Sequence, residues 1–335
     1  MRNVLFFHVG SIGDTLVAMP AMHAVLEHLK GVRVDLFNAA LIEGHVHQQL
    51  YDHLNWFSRM NFTPTTGNVF RRTLTRCKII RYIYEGHYDT VFYFAYAPRK
   101  IDFLLFSLLG IRNVFCCLDQ TRKGIPIHRN YLENVAKYGY RASEPFSLAF
   151  TEEERGFAER LFRSLKIPEG KIPIAVGIGG KKESCHWPVE KYREVLCHDF
   201  GTEQLYPIFL GGEKERKDAE NLIHSVGCGF FLYGVPDLTL RTTIAFLKFC
   251  RFYLGNDTGS IHMAAAAKIP CIGIYSSIAP KGLWEPFGEK NRILRTRMDC
   301  EQCGRNQCRY GYPSRCIDAI SVETVVQAVG AFLKR

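Results

Sequence analysis

Short apolar runs alternate with stretches of helical period along the whole chain. Asn3–Val9, Val32–Phe37, Thr90–Tyr96 and Asn113–Leu118 are compact runs rich in valine, phenylalanine and tyrosine, and read as strands. Thr15–Lys30, Asn68–Glu85 and Lys100–Leu109 lie between them and read as helices. From Leu118 to Phe150 the pattern weakens around Gly124, Pro126, Gly139 and Pro145. Glu152–Leu165 is an amphipathic helix, with Thr151 as N-cap and Glu154 completing a capping box. The alternation then restarts. Ile172–Gly180, Gln204–Gly212, Arg251–Ser260 and Pro270–Ser277 are strand runs, the first two ending in glycine pairs, and Ser321–Leu333 is a closing helix. Strands alternating with helices predict α/β layers built on parallel sheets. No short repeat period is present.

A chain of 335 residues favours two domains. The pattern divides it near residue 150, into an N-terminal α/β half, 1–150, and a second α/β half, 151–320, followed by 321–335. Parallel sheets bind ligands beyond the carboxyl ends of their strands. Glycine-ended strands in both halves therefore predict two Rossmann-like domains whose sheets face a central cleft. The net charge of +10 suits an anionic partner: a nucleotide, a phosphorylated glycan, an anionic membrane surface or a nucleic acid. The most apolar stretch, Phe103–Leu118, is short for a membrane span and is broken by Arg112 and Asn113. The amino terminus reads as a buried strand rather than a signal peptide, because its apolar run is short and no small-residue cleavage site follows. The expected location is the cytoplasm, with the inner membrane face as a peripheral site. In that compartment most of the twelve cysteines are expected to be free thiols.

Four stretches carry candidate chemistry. In "GSIGD" (Gly10–Asp14) a glycine turn places a carboxylate where a strand hands over to a helix. Asp14 is either a helix cap or a general base at the mouth of the sheet, and the two roles are compatible. Ser11 and Gly13 share its loop. In "GNDTGSIH" (Gly255–His262) the strand turns through Asp257, Thr258 and Gly259 into an alanine-rich helix, whose N-terminal N–H groups suit a pyrophosphate. Asp257 suits sugar hydroxyls; the plain alternative is a capping turn with His262 at the surface. "GGKKESCHWP" (Gly179–Pro188) sets Lys181 and Lys182 after a strand end, as phosphate-neutralising charges or as an ordinary exposed run. Finally, Cys300, Cys303, Cys308 and Cys316 follow the spacing C-x2-C-x4-C-x7-C, compatible with a structural zinc or iron site, with two disulfides or with four thiols.

Taken together, "SIGDTLVAMPA", "HWPVEKY", "FLGGEKER" and "YLGNDTGSIHMAAAAKIPCIGIY" fall in an order that resembles glycosyltransferase family 9, the bacterial lipopolysaccharide heptosyltransferases and their relatives. The likeness spans nearly the whole chain, and its last motif is the most specific. It implies a GT-B fold, with an acceptor-binding N-terminal domain and a nucleotide-sugar donor-binding C-terminal domain. That fold allows 321–335 to pack back on the first domain. The resemblance also implies an inverting, metal-independent transfer from a nucleotide sugar, typically ADP-heptose, to a hydroxyl of the lipopolysaccharide core or a related envelope glycan. It maps the catalytic base onto Asp14 and donor contacts onto Asp257, Thr258, Gly259 and His262. Gly179, Gly180, Lys181, Lys182, Gly211 and Gly212 are the further donor-side candidates, and loops 38–49 and 61–72 are the candidate acceptor readers. Where family members carry a lysine two residues before Trp-Pro, this chain has Cys185; Lys181 or Lys182 is the expected substitute.

Three other functions remain open at this level. They are a relative using another nucleotide sugar or a protein acceptor, a non-catalytic nucleotide-sugar binder, and a nucleic-acid binder built around the cysteine cluster with Arg305, Arg309, Tyr310 and Tyr312. Motifs spread over the whole chain argue against the last, and no nucleic-acid partner is expected.

Overall fold

The computed structural model describes residues 3–40, 45–64, 69–122, 124–201 and 204–334. The chain divides into two units, Met1–Ala149 and Phe150–Arg335. The first contains β1 (Asn3–Gly10), α1 (Ile12–Glu27), β2 (Arg33–Ala40), β3 (Arg59–Pro64), α2 (Val69–Gly86), β4 (Thr90–Ala95), α3 (Lys100–Leu108), β5 (Asn113–Cys116) and α4 (Ile127–Lys137). Among the described residues its strands form one parallel sheet in the order β3-β2-β1-β4-β5. Successive side chains leave a strand on opposite faces. Leu5, Phe7, Phe37, Val91 and Tyr93 therefore share one face, where they bury Ile79, Tyr82 and Ile83 of α2 and Phe106 of α3.

The second unit contains α5 (Glu152–Ser164), β6 (Lys171–Gly177), α6 (Val189–Leu196), β7 (Gln204–Phe209), α7 (Arg216–Val226), β8 (Phe230–Phe231), α8 (Leu240–Leu247) and β9 (Tyr253–Asn256). It continues with α9 (Gly259–Ala266), β10 (Cys271–Tyr275), β11 (Arg292–Arg295), α10 (Arg315–Asp318) and α11 (Val322–Leu333). Its sheet is again parallel, in the order β11-β10-β9-β6-β7-β8. Residues 321–335, which the sequence allowed to pack on the first domain, fall within the second unit. Val325, Ala328, Val329 and Phe332 of α11 enter the core of the second unit with Trp187, Val195, Phe252 and Leu254.

In each sheet the chain winds outward from a central pair of strands in two directions. The switch point lies between β1 and β4 in the first unit and between β6 and β9 in the second. Loops leaving adjacent strands there splay to opposite faces and open a crevice. Asp14 follows β1, and the glycine loop and the Asn256–Gly259 turn follow β6 and β9.

The weak region before residue 150 contains α4, which the apolar pattern did not reveal. Its buried positions, Ile127, Asn130, Tyr131, Asn134 and Val135, have helical spacing, but two of the five are asparagines. Their amides are used structurally. Asn130 exchanges hydrogen bonds with the backbone of Asp119 at 2.9 Å each, and Asn134 donates to Cys116 O at 2.8 Å. The short edge strands β3, β8 and β11 also escaped the pattern. The expected acceptor-reading loops, 38–49 and 61–72, lie partly outside the described residues. No described helix is long and apolar enough to cross a membrane.

Candidate active site

The helix after β1 starts three residues earlier than its apolar pattern suggested. Ser11 is the N-cap, and Asp14 is the third helical residue rather than the cap. Asp14 reaches back to the cap: both the Ser11 N–H and the Ser11 hydroxyl donate to Asp14 Oδ2, each at 2.6 Å. Both bonds fall on one oxygen, and Oδ1 is left to another partner. Gly10 makes this arrangement possible: a Cβ there would lie 2.3 Å from Asp14 Cβ and 2.9 Å from Cγ. Gly13 is buried and Asp14 only half-buried. Burial first, and the Asp14 charge second, push the hydroxyl of Tyr131 on α4 well above its usual range. Tyr131 is thus a neutral neighbour of the carboxylate that nothing in the local sequence marked.

In the second unit the glycine-ended strands converge. Gly177 on β6 pairs with Gly255 on β9, and a Cβ at Gly255 would lie 2.3 Å from Gly177 O. Tyr253 fills the small space beside this pair and shares a 2.8 Å hydrogen bond with Ser260 Oγ. Glu215 joins the loops after β6 and β7. A Cβ at Gly179 would meet its carboxylate at 2.5 Å, one at Gly211 would meet its Cβ at 2.9 Å, and Gly212 N–H donates to Oε2 at 2.8 Å. Gly180 approaches the turn after β9, with space for a Cβ limited by Thr258 Cγ2 at 3.3 Å and His186 at 3.1 Å. Thr258 caps α9, accepting from Ser260 N–H at 3.3 Å, so Gly259 opens the helix with its N–H uncommitted to an earlier turn. Asp257 is half-buried beside a small cavity lined by Tyr275, Trp284 and Arg295. His262, expected at the surface in the capping-turn reading, is instead buried on the second turn of α9.

Asn256 is the residue that local reading undervalued. It is fully buried and ties the two loops together. Its Nδ2 donates to Ile178 O at 2.6 Å and Gly179 O at 3.2 Å, while its Oδ1 accepts from Trp187 N–H at 3.2 Å and Tyr192 OH at 2.9 Å. A signal was present in the asparagine of "GNDTG", but only the fold shows which carbonyls it meets.

Cys185, in the position where a lysine was expected, is buried, with its Sγ 3.3 Å from Ser276 Oγ. Burial pushes its thiol up to about 11, with Asp257 adding to the rise and Lys182 opposing it. Lys182 is thus the lysine whose charge reaches this loop; Lys181 is exposed to solvent.

Cys300, Cys303, Cys308 and Cys316 line one cavity, of about 340 Å³, with Asp299, Arg305, Arg309 and Tyr310. Among the described residues no three histidine, cysteine, aspartate or glutamate side chains converge as metal ligands. The structural zinc or iron considered from the spacing is therefore not supported. Cys303 is exposed, Cys316 is buried at the start of α10, and Cys308 takes backbone N–H bonds. The N–H of Tyr310, with that of Arg315 and the Ser314 hydroxyl, holds the Cys308 thiol below its usual range.

Two parallel α/β units, each with its candidate residues at the sheet's switch point, have the architecture of the GT-B fold. The family model for glycosyltransferase family 9 (heptosyltransferase) matches residues 129–312, more than half of the chain, and the protein belongs to that family. It is 21% identical over 345 residues to a Campylobacter jejuni protein, lipooligosaccharide heptosyltransferase 2, with 98% of each chain covered. To lipopolysaccharide heptosyltransferase 1 of Escherichia coli K12 it is 24% identical over 152 residues, 45% of this chain and 46% of the other. Among solved structures, a family 9 glycosyl transferase from Veillonella parvula superposes with a TM-score of 0.74 at 14% identity, covering 99% of this chain and 97% of that one. The ADP-heptose lipopolysaccharide heptosyltransferase II of E. coli gives 0.70 at 16% identity, covering 100% and 99%. At these identities the structures establish the fold.

Proposed function

We propose that the protein is an inverting, metal-independent glycosyltransferase that moves a heptose from ADP-heptose to a hydroxyl of a lipopolysaccharide core or related envelope glycan. The observation that carries the reading is Asp14. It is a carboxylate at the switch point of the first sheet, anchored through one oxygen and cleared of obstruction by Gly10. With the acceptor hydroxyl bonded to Oδ1, Asp14 takes its proton as the acceptor oxygen attacks the anomeric carbon. The bond from that carbon to the diphosphate breaks on the opposite face, inverting the centre. The departing charge is met by the N–H groups opening α9 and by Lys182, in place of the absent lysine at Cys185. Asp257 accepts from sugar hydroxyls. No cofactor enters this scheme. An E. coli heptosyltransferase was solved with ADP, which supports that nucleotide here. The acceptor implies a cytoplasmic enzyme working at the inner membrane face.

The test is Asp14→Asn. It keeps the size of the side chain and removes the base, so kcat should fall by about 10²–10⁴-fold while stabilisation by ADP is kept. Undiminished turnover would remove Asp14 from the mechanism. A second reading, a different nucleotide sugar, is favoured by Cys185. Selective thermal stabilisation by a UDP or GDP compound instead of ADP would establish it.

A further inference from the structure

Among the described residues, every exposed leucine and isoleucine lies on α2 or α3. On α3, Phe106 and Asp102 face the core, yet Ile101, Leu104 and Leu108 stand 56%, 55% and 75% exposed on the other side. Their spacing of three and four residues makes one stripe along the helix. On α2 the inner face is Thr75, Ile79, Tyr82 and Ile83, and the outer face carries Leu74, Ile80 and Tyr84. The two helices lie on the same face of the first sheet: Tyr82 packs on Phe37 of β2, and Phe106 on Phe7 of the adjacent β1. Both connect parallel strands, so they run in the same direction and turn their outer surfaces the same way, away from the sheet. A helix that is apolar on both sides calls for an apolar neighbour on both.

The charges on these outer surfaces say which neighbour. Arg76, Lys78 and Lys100 are exposed and carry no ion pair among the described residues. The acids are already engaged: Glu85 with Arg81 at 2.7 Å, and Asp102, buried, with Arg99 at 2.9 Å. A second copy laid on the same face would oppose cation to cation. Apolar stripes interleaved with free cations match an anionic lipid bilayer, whose headgroups take the cations while its acyl region takes the leucines. We infer that the outer face of α2 and α3 docks the protein on an anionic membrane. This deepens the envelope-glycan reading above, but it is drawn from the surface and not from the transfer site.

The experiment is co-sedimentation of the full chain with vesicles of phosphatidylcholine, alone or with phosphatidylglycerol, without donor or acceptor. The wild type should bind the anionic vesicles, and added salt should weaken binding. Ile101→Gln/Leu104→Gln/Leu108→Gln and, separately, Arg76→Glu/Lys78→Glu should each weaken binding about tenfold or more. Melting temperatures should stay near the wild-type value, because all five side chains are already in water. Absence of wild-type binding, or both variants binding like wild type, overturns the inference. So does a wild-type dimer that the triple substitution converts to monomer, since the face would then belong to a second copy. Failure here leaves the transferase reading standing; a chain that binds vesicles but no nucleotide would overturn only that reading.

Discussion

Asn256→Ala is the most exacting test of the donor half, because the cost follows from four hydrogen bonds at one fully buried residue. Truncation leaves the buried Trp187 N–H and Ile178 carbonyl without their Asn256 partner. Tyr192 OH keeps a second acceptor, Gly177 O at 3.3 Å, and the half-buried Gly179 carbonyl can be rehydrated. Two groups are thus orphaned at about 1–3 kcal/mol each, and the substitution should cost about 2–6 kcal/mol. Urea unfolding followed by linear extrapolation measures this directly. Asn256→Asp sharpens the test. It keeps the acceptor for Trp187 and Tyr192 but turns a carboxylate oxygen onto two carbonyls. Burial and those carbonyls raise its folded-state pKa above the unfolded value of about 3.9. Above pH ~4 the folded state then binds more protons than the unfolded one, so the variant loses stability as pH rises. Asn256→Asp should therefore sit closest to wild type near pH 4 and furthest below it at pH 8. A loss under about 1 kcal/mol for the alanine variant, or a pH-independent gap for the aspartate variant, would refute this account of the latch.

Gly10→Ala places a methyl 2.3 Å from Asp14 Cβ; turnover should fall about 10²-fold through displacement of the carboxylate, with donor binding intact by calorimetry. Lys182→Ala should raise the ADP dissociation constant about tenfold, the loss of a charge-assisted contact, whereas Lys181→Ala should leave it unchanged; equal effects would reject the preference for Lys182. In thiol labelling under native conditions, Cys308, held low by backbone N–H groups, should react early. Cys185, pushed up to about 11, and Cys250, pushed up to about 12, should wait for unfolding. Mass spectrometry of a labelling time course distinguishes these sites.

The sequence by itself determined the α/β class, the division into two halves and the position of the main strands. These depend on local periodicity and on glycines at strand ends, both of which are written in consecutive residues. It also singled out Asp14 and the Asp257–Gly259 turn, because a carboxylate or a cap beside glycines is a local signature. What it could not supply were relations between distant residues. The start of α1 at Ile12 was hidden because the Asp14 carboxylate, on the third helical residue, reaches back to Ser11, so Asp14 resembled the cap itself. The helix α4 was hidden because Asn130 and Asn134 occupy core positions where they meet the carbonyls of Asp119 and Cys116, at and beyond the end of β5. The cysteine spacing suggested a metal site, yet among the described residues the four cysteines share one cavity without three of them forming a ligand set. The roles of Asn256 and Glu215 exist only once parallel pairing sets the ends of β6, β7 and β9 side by side. The apolar residues of α3 are equally ordinary in the sequence. Burial against the sheet takes one face of that helix, and the tertiary structure alone reveals that the other remains in water.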